Sequence, residues 1–380
     1  MIVDAVDKVF LLEPNKHPLV TLLSNVGKVY DGKSWQGSSL QKAPTGNPEF
    51  KEFEDVYGGR YCRASAAKTV PVSSIDVSGA GASSAYIFTV GDVVRNARTG
   101  ENFLVTTITD ADTIAVTPAY GTTAAAAIAA GDGLFIAGNV NGEGTLARNV
   151  NTTRVSEVKN YCQIFKTSIV VTGTEAVANL YGGRDLPYQR AKKGTEHALD
   201  IEKAFFYGQK YLDTSTYARR QTGGIDEFLT AGTSYVQDQN GPVTAPDFNT
   251  FLREGFTYGN DTKTLFCGGI VLQAINEMAR GQILTHTGDT SYGVKISEWQ
   301  TAFGTIQIVH DPLFVEDFAG TAYLLDLESF RYRFMEGRDT KLETNIQAPD
   351  FDGEIDQYIS EVGLERKQAP RHAMIKNITG

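Results

Sequence analysis

One long strand leading into one long helix is the feature that most limits what this chain can become. Residues 153–171, TRVSEVKNYCQIFKTSIVV, read as one continuous strand. Thr172-Gly-Thr-Glu175 is then a T-x-x-E capping box that opens a short helix stopping at Gly182-Gly183. Asp185 caps a second helix, with Pro187 in its first turn and Gly208 near its end. Some 22 residues at 1.5 Å each make a rod of about 33 Å. Tyr188, Ala191, Thr195, Ala198, Ile201 and Phe205 follow the 3–4 spacing of a buried stripe. Lys192, Lys193, Glu196, Asp200 and Lys203 lie largely away from it.

The strand needs a partner, and residues 27–70 supply text of the same kind. That stretch is polar and dotted with Gly, and Val29, Tyr30, Trp35 and Leu40 are spaced like an extended ribbon with little core of its own. The two stretches are long enough to pair as a giant hairpin. An ordered ribbon without a core lies on something else. Between them, residues 71–146 are dominated by Ala, Gly, Thr and Val. Tyr86–Val90, Phe103–Ile108, Thr113–Val116 and Leu134–Ile136 read as short strands between turns at Gly91-Asp92, Thr99-Gly100, 110–112 and 131–133. Such spacing predicts a small all-β barrel or sandwich inserted into the ribbon, with Ala124–Ala130 as a helical turn between strands.

Beyond the long helix the text alternates. Thr244-Ala-Pro-Asp247 caps a helix carrying Phe248, Phe251 and Leu252, followed by strand Thr264–Cys267, helix Ile270–Arg280 and strands Thr305–Val309 and Ala322–Leu327. After Arg338 the chain is ribbon-like again. The fold class is α+β.

Signals for chemistry are few. Residues 27–34, GKVYDGKS, match the phosphate-cradling G-x-x-x-x-G-K-[ST] pattern letter for letter. That pattern works only where a strand runs into a flexible loop and a helix starts at Lys33-Ser34. Here Val, Tyr and Asp fill the loop, and Trp35-Gln-Gly-Ser-Ser, which follows, is no helix. Gly79-Ala-Gly81-Ala-Ser-Ser84 is half a dinucleotide fingerprint with no helix behind it, and reads as a turn. Glu196 and Asp200 share a helix face but lack a His, and Asp350–Glu354 lacks the ligand spacing of a calcium loop. No Ser/Cys–His–Asp grouping can be assembled, so the chain reads as a non-enzyme with no cofactor and no metal. Net charge is −10 with no dense basic run, which argues against tight binding of nucleic acid. Three widely spaced cysteines suit a reducing compartment. No apolar run approaches the roughly 20 residues of a membrane span, and the acidic N-terminus is unlike a signal peptide.

The order of parts resembles the major capsid proteins of tailed bacteriophages, the Hong Kong 97 fold. The segments Asn160–Lys166 and Val171–Thr174, with the helix that follows, look like the returning E-loop strand and spine helix of one capsid subfamily. So does the tail Gly337–Gln347, Asp352-Gly353, Gly363-Leu-Glu365 and His372. Gly91-Asp92, Thr99-Gly-Glu101, Gly131-Asp132 and Glu143-Gly144 look like the β insertion which that subfamily carries. The resemblance implies an N-terminal arm (1–26), an outgoing E-loop ribbon (27–70), an inserted β domain (71–146), an E-loop return (147–171), a P-domain with spine helix (172–242), an A-domain (243–336) and P-domain tail strands (337–380). It places the GKVYDGKS match on the outgoing ribbon.

The resemblance also implies a function and partners. Copies form hexamers and pentamers in an icosahedral head shell, assembled in the host cytoplasm with scaffolding and portal proteins, enclosing double-stranded DNA without reading its sequence. A cellular encapsulin-type compartment shell and a phage tail or decoration protein are the alternative readings. Aromatic side chains with no local core find one on a partner. On that ground Trp35, Tyr30, Tyr61, Tyr161 and Phe165 are candidate intersubunit contacts, and Lys192, Glu196 and Arg338 are charged candidates.

Overall fold

The computed structural model describes residues 29–30, 35–36, 41–55, 59–78, 84–148, 155–177, 185–215, 217–280 and 298–379. The expected N-terminal arm and the Gly182-Gly183 helix stop lie outside them. The chain divides into two units, Met1–Glu52 with Glu157–Gly380, and Phe53–Ser156.

The first unit is built on two sheets. In one, the fourteen-residue strand Gly353–Arg366 has Gln163–Thr172 antiparallel on one side and Phe330–Met335 on the other. Gln41–Thr45 adds in parallel beyond Phe330–Met335, and Lys341–Glu343 pairs with the near half of the long strand. Along Gln163–Thr172, Phe165, Ile169 and Val171 are buried while Ile164, Lys166, Ser168 and Val170 face solvent. That period of two marks a sheet covered on one face. The helix Asp185–Tyr207 provides part of the cover, and Ile201, Phe205 and Phe206 join Phe165, Tyr332, Val362 and Leu364 in one core.

The second sheet runs Tyr235–Gly241, Ala373–Ile378, Ala322–Leu325, Thr262–Cys267, Thr305–His310, Glu298–Gln300. Helices Ala245–Gly255 and Gly269–Arg280 contribute Phe248, Phe251, Leu252, Val271 and Ile275 to its core. The capping box at Thr244 and Asp247 is present with both reciprocal bonds.

The expected single strand 153–171 is two strands, Ser156–Tyr161 and Gln163–Thr172, in different sheets. The first pairs with Glu49–Glu54 as a two-stranded ribbon. The break falls at Cys162, whose amide donates to the Pro48 carbonyl at 2.7 Å. Beside it, buried Asn160 uses its whole side-chain amide. Oδ1 accepts from the N–H groups of Gly223 (2.7 Å) and Tyr161 (2.9 Å), and Nδ2 donates to the carbonyls of Leu364 (2.7 Å) and Gly223 (3.0 Å).

The helix also differs from its predicted stripe. Ala191 and Thr195 are exposed, and the packed line runs through Arg190, Gly194, His197, Ile201 and Phe205. The N-terminal half therefore meets the sheet through polar groups. Arg190 Nε donates to Asp356 at 2.6 Å, and the Tyr358 hydroxyl donates to the Arg190 carbonyl at 3.0 Å. Gly194 lets that tyrosine in, since a Cβ there would sit 3.2 Å from its oxygen.

The second unit contains a closed six-stranded barrel, in order Gly133–Asn139, Tyr61–Ala64, Ser74–Ser78, Thr113–Thr117, Asn102–Ile108, Asp92–Asn96 and back to the first. Closure leaves no open edge. Ile75, Val94, Phe103, Val105, Ile114 and Leu134 fill it, with Phe88. Tyr86–Val90, expected as a strand, starts as a 3-10 turn, Ser84–Ile87. The stave is Asp92–Asn96 instead. The Asp92 carboxylate accepts the Thr89 N–H at 2.7 Å and Gly91 takes a φ of +90°, which together turn the chain before the strand starts. Ala124–Ala130 is not a helical turn. Ile128 bridges to Lys68 with both backbone bonds, and its side chain enters the barrel core. The barrel also takes in Tyr61–Ala64, a stretch expected to belong to the ribbon.

Candidate functional site

The P-loop pattern is a hairpin. Val29 pairs with Gln36 and Tyr30 with Trp35 in an antiparallel ladder, so a strand follows Ser34 where a phosphate site needs a helix N-terminus. Among the described residues, no group of three or more His, Cys, Asp and Glu could hold a metal ion. Glu196 pairs with Lys193 at 2.6 Å. Burial pushes the thiols of Cys62 and Cys162 up to about 12, which makes them poor nucleophiles. No helix among the described residues is long and apolar enough to cross a membrane.

What this architecture offers is surface for other chains. Among the described residues the strand Gln163–Thr172 ends its sheet, and its Ile164 and Val170 are exposed. Tyr235–Gly241 ends the other sheet. Open edges of this kind accept a further strand. After the long helix, Tyr211–Leu212 pairs with Arg220–Gln221 as a small hairpin, and Tyr217 between them is 84% exposed. Sequence reasoning passed over this hairpin. Its signal was Tyr211, Leu212 and Tyr217 in polar text just past Gly208, apolar side chains with no periodicity to bury them.

The predicted contact residues separate into groups. Tyr161 and Phe165 do not await a partner. Both are buried, and Phe165 meets the His197 ring edge-on at 6.4 Å within the main core. The sheet switch at Cys162 turns this part of the presumed ribbon into the body of the unit. Tyr61 is half exposed on the barrel, with the Arg63 guanidinium 5.8 Å over its ring. The Tyr30 and Trp35 side chains lie outside the described residues. Lys192 is half-buried on the helix, and Arg338 is partly exposed in an ion pair with Glu361 at 2.6 Å.

The acids on the long strand are held by cations of the same unit. Glu361 pairs with Arg338 and Arg220, and Glu365 pairs with Arg333 and with Lys367 at 2.7 Å. Arg366 is buried over the Phe228 ring and donates to the Gly224 carbonyl and Glu227. Each of these three buried groups, Glu361, Glu365 and Arg366, has an opposite charge or a carbonyl beside it, which is what keeps such groups tolerable. These pairs stiffen the subunit.

Comparison with known proteins agrees with this geometry. Residues 3–379 match the family model of the SU10 major capsid protein. The major capsid protein of Pseudomonas phage PaMx41 is 24% identical over 339 residues, spanning 82% of this chain and 80% of that protein. Among solved structures, the capsid asymmetric unit of cyanophage A-1(L) superimposes with a TM-score of 0.51 at 13% identity, over 64% of this chain and 85% of that one. A chain from Microbacterium phage Oxtober96 gives 0.50 at 8% identity, over 99% and 96%. With a family model matched from residue 3 to residue 379, this chain belongs to the SU10 major capsid protein family.

Proposed function

We propose that copies of this chain close into an icosahedral head of hexamers and pentamers around double-stranded DNA. The observation that carries this reading is the family match along almost the whole chain. In this reading the helix Asp185–Tyr207 is the spine helix of the P-domain and the six-stranded sheet belongs to the A-domain. The pair Glu49–Glu54 and Ser156–Tyr161 is the root of the E-loop. The barrel is an insertion in the chain between these two strands. Its support is the chain order, in which the barrel strands from Tyr61–Ala64 to Gly133–Asn139 fall between those two.

Open sheet edges and exposed tyrosines supply modest contacts, which a closed shell multiplies. A net charge of −10 suits a container whose contents must slide in and out. Scaffolding and portal proteins complete the assembly in the host cytoplasm, and the subunit carries no catalytic role. Negative-stain microscopy of the purified chain tests the reading. Closed polyhedral particles are expected, with DNA rather than protein inside those recovered from infected cells. Particles filled with a cargo enzyme would instead indicate a cellular compartment shell.

A further inference from the structure

The outer face of the barrel carries a patch that is both basic and aromatic. Cys62, Val94 and Leu134 belong to the barrel core. Their neighbours Tyr61, Arg63, Arg95 and Phe135 therefore lie on the outside, since successive side chains of a strand alternate. Phe135 pairs with Tyr61 on one side and with Arg95 on the other, and Arg63 pairs with Gly133. Directly paired residues share a face, which puts the four side chains side by side. A Cβ on Gly133 would sit 2.8 Å from the Tyr61 hydroxyl, so the glycine gives that ring its place on the sheet. Tyr61, Arg63 and Arg95 are exposed. Three carboxylates of the barrel are taken by other cations: Arg98 holds Asp132, Arg148 holds Asp92 and Lys68 holds Asp76, each at 2.7 Å. Arg63 donates to the Gly131 carbonyl at 3.1 Å, and among the described residues no carboxylate pairs with it or with Arg95.

The other unit offers a turn of opposite character. Val315 and Phe318 are exposed apolar side chains, and Glu316 and Asp317 between them are exposed acids. No cation pairs with either acid among the described residues. The turn is well braced. It is a 3-10 helix, Glu316–Phe318, in which the Phe318 and Ala319 amides donate to the Val315 and Glu316 carbonyls at 3.1 and 3.0 Å. Tyr207 backs the Phe318 ring at 4.4 Å between centroids. Glu316 takes a φ of +51°, a strained value for a residue with a Cβ, and such strain gathers at binding sites. The turn thus sets two free acids between two apolar groups, and the patch sets two free arginines beside two aromatic rings.

We infer that the barrel patch of one copy receives the Val315–Phe318 turn of a second copy, Arg63 and Arg95 meeting Glu316 and Asp317 over the Tyr61 and Phe135 rings. Charge and apolar character both match across the two surfaces. A guanidinium presents a planar fork to a carboxylate, and the rings supply apolar contact beside it. The contact joins different patches of two chains, so every subunit both gives and receives it. It rests on the shell reading above, which supplies the second copy, and adds to that reading the surfaces through which neighbours meet. Each contact is modest, and repetition around the shell multiplies it.

The test uses full-length chains with the charge reversed on one surface at a time, R63E/R95E and E316K/D317K. Subunit association is read by sedimentation velocity, with the melt of each chain as the control for folding. Each variant alone is expected to associate about tenfold more weakly than the parent. An equimolar mixture of the two is expected to recover, because acid faces base again wherever unlike variants meet. Either variant associating at the parent's level overturns the proposal, as does a mixture no better than its components. So does a parent that binds a single-stranded oligonucleotide and loses it in R63E/R95E alone, since the patch would then serve nucleic acid. Should R63E/R95E not fold, R95E takes its place, because the Arg63 bond to Gly131 is then kept. Microscopy of the same samples separates this contact from the shell reading. A parent that associates but closes no particles, beside variants that do neither, counts against the shell and supports the contact.

Discussion

The Nε2 of His197 lies 2.7 Å from the Oγ of Ser360, while its Nδ1 lies 2.9 Å from the Oγ1 of Thr167. One imidazole thus joins the long helix to two adjacent strands. Ser360 passes the chain of bonds on to Thr340 at 2.8 Å. Burial pushes the imidazole below its ordinary value, so the neutral ring is the working form, and either tautomer suits two hydroxyls that can donate or accept. His197→Ala is expected to cost about 2–4 kcal/mol through a cavity and stranded hydroxyls, with His197→Gln recovering part of it. Urea denaturation of the full chain measures this. A loss below about 0.5 kcal/mol would mean the polar half of the helix interface contributes nothing.

Asn160 makes a sharper prediction, because its four bonds hold the point where the chain changes sheets. Asn160→Ala leaves two N–H groups and two carbonyls without those partners, a loss on the order of 3 kcal/mol or more. Asn160→Asp is expected to be no better, since a carboxylate offers nothing to the Leu364 and Gly223 carbonyls. Thermal melting of both variants checks the order. Asn160→Asp matching the parent would sink the account.

His372 predicts an acid limit. Burial foremost, aided by the Lys263 and Arg371 charges and opposed by the Lys367 carbonyl, pushes its imidazole down to about 3. Nδ1 accepts the Asp326 N–H at 3.1 Å, which leaves Nε2 to donate to the Lys367 carbonyl at 3.2 Å. The folded state binds fewer protons than the unfolded state between about pH 3 and the ordinary histidine value. Stability is therefore whole above about pH 6.5 and declines as pH falls through that window, by up to about 1.4 kcal/mol per unit. His372→Gln should be less stable than the parent at pH 7 and lose less between pH 6.5 and 5. Parallel slopes for the two proteins would count against a neutral buried ring.

For assembly, Trp35→Ala and Tyr217→Ser are expected to leave the subunit melt unchanged while lowering particle yield. Tyr217 touches too little of its own unit to matter there. Trp35 pairs with Tyr30 through the backbone of an antiparallel ladder. Particle yield and subunit melting are followed together. Shells that form and survive heating as well as the parent would show that neither residue is an intersubunit contact, and an unfolded subunit would place the residue in an internal core.

Much of the architecture could be read from local text. The helix from Asp185, the capping box at Thr244 and the alternating helices and strands after it depend on spacing and caps within a few residues, and there the sequence is its own evidence. The aromatic candidates fared unevenly because composition cannot say whether a side chain lacks a home. Phe165 has one under the long helix, whereas Tyr61 stays half exposed on the barrel.

Sequence alone determined the long rod, the α+β alternation and the likeness to capsid proteins, because each rests on periodicity or on residues close together in the chain. Tertiary structure decided which face of the rod is buried and where the long strand breaks. Arg190, Gly194 and His197 look like surface residues until Asp356, Tyr358 and Ser360 come to face them from more than 160 positions away. Cys162 looks like mid-strand until Pro48 takes its amide. A buried polar group goes where its hydrogen bonds can be made, and that place exists only once distant segments have met.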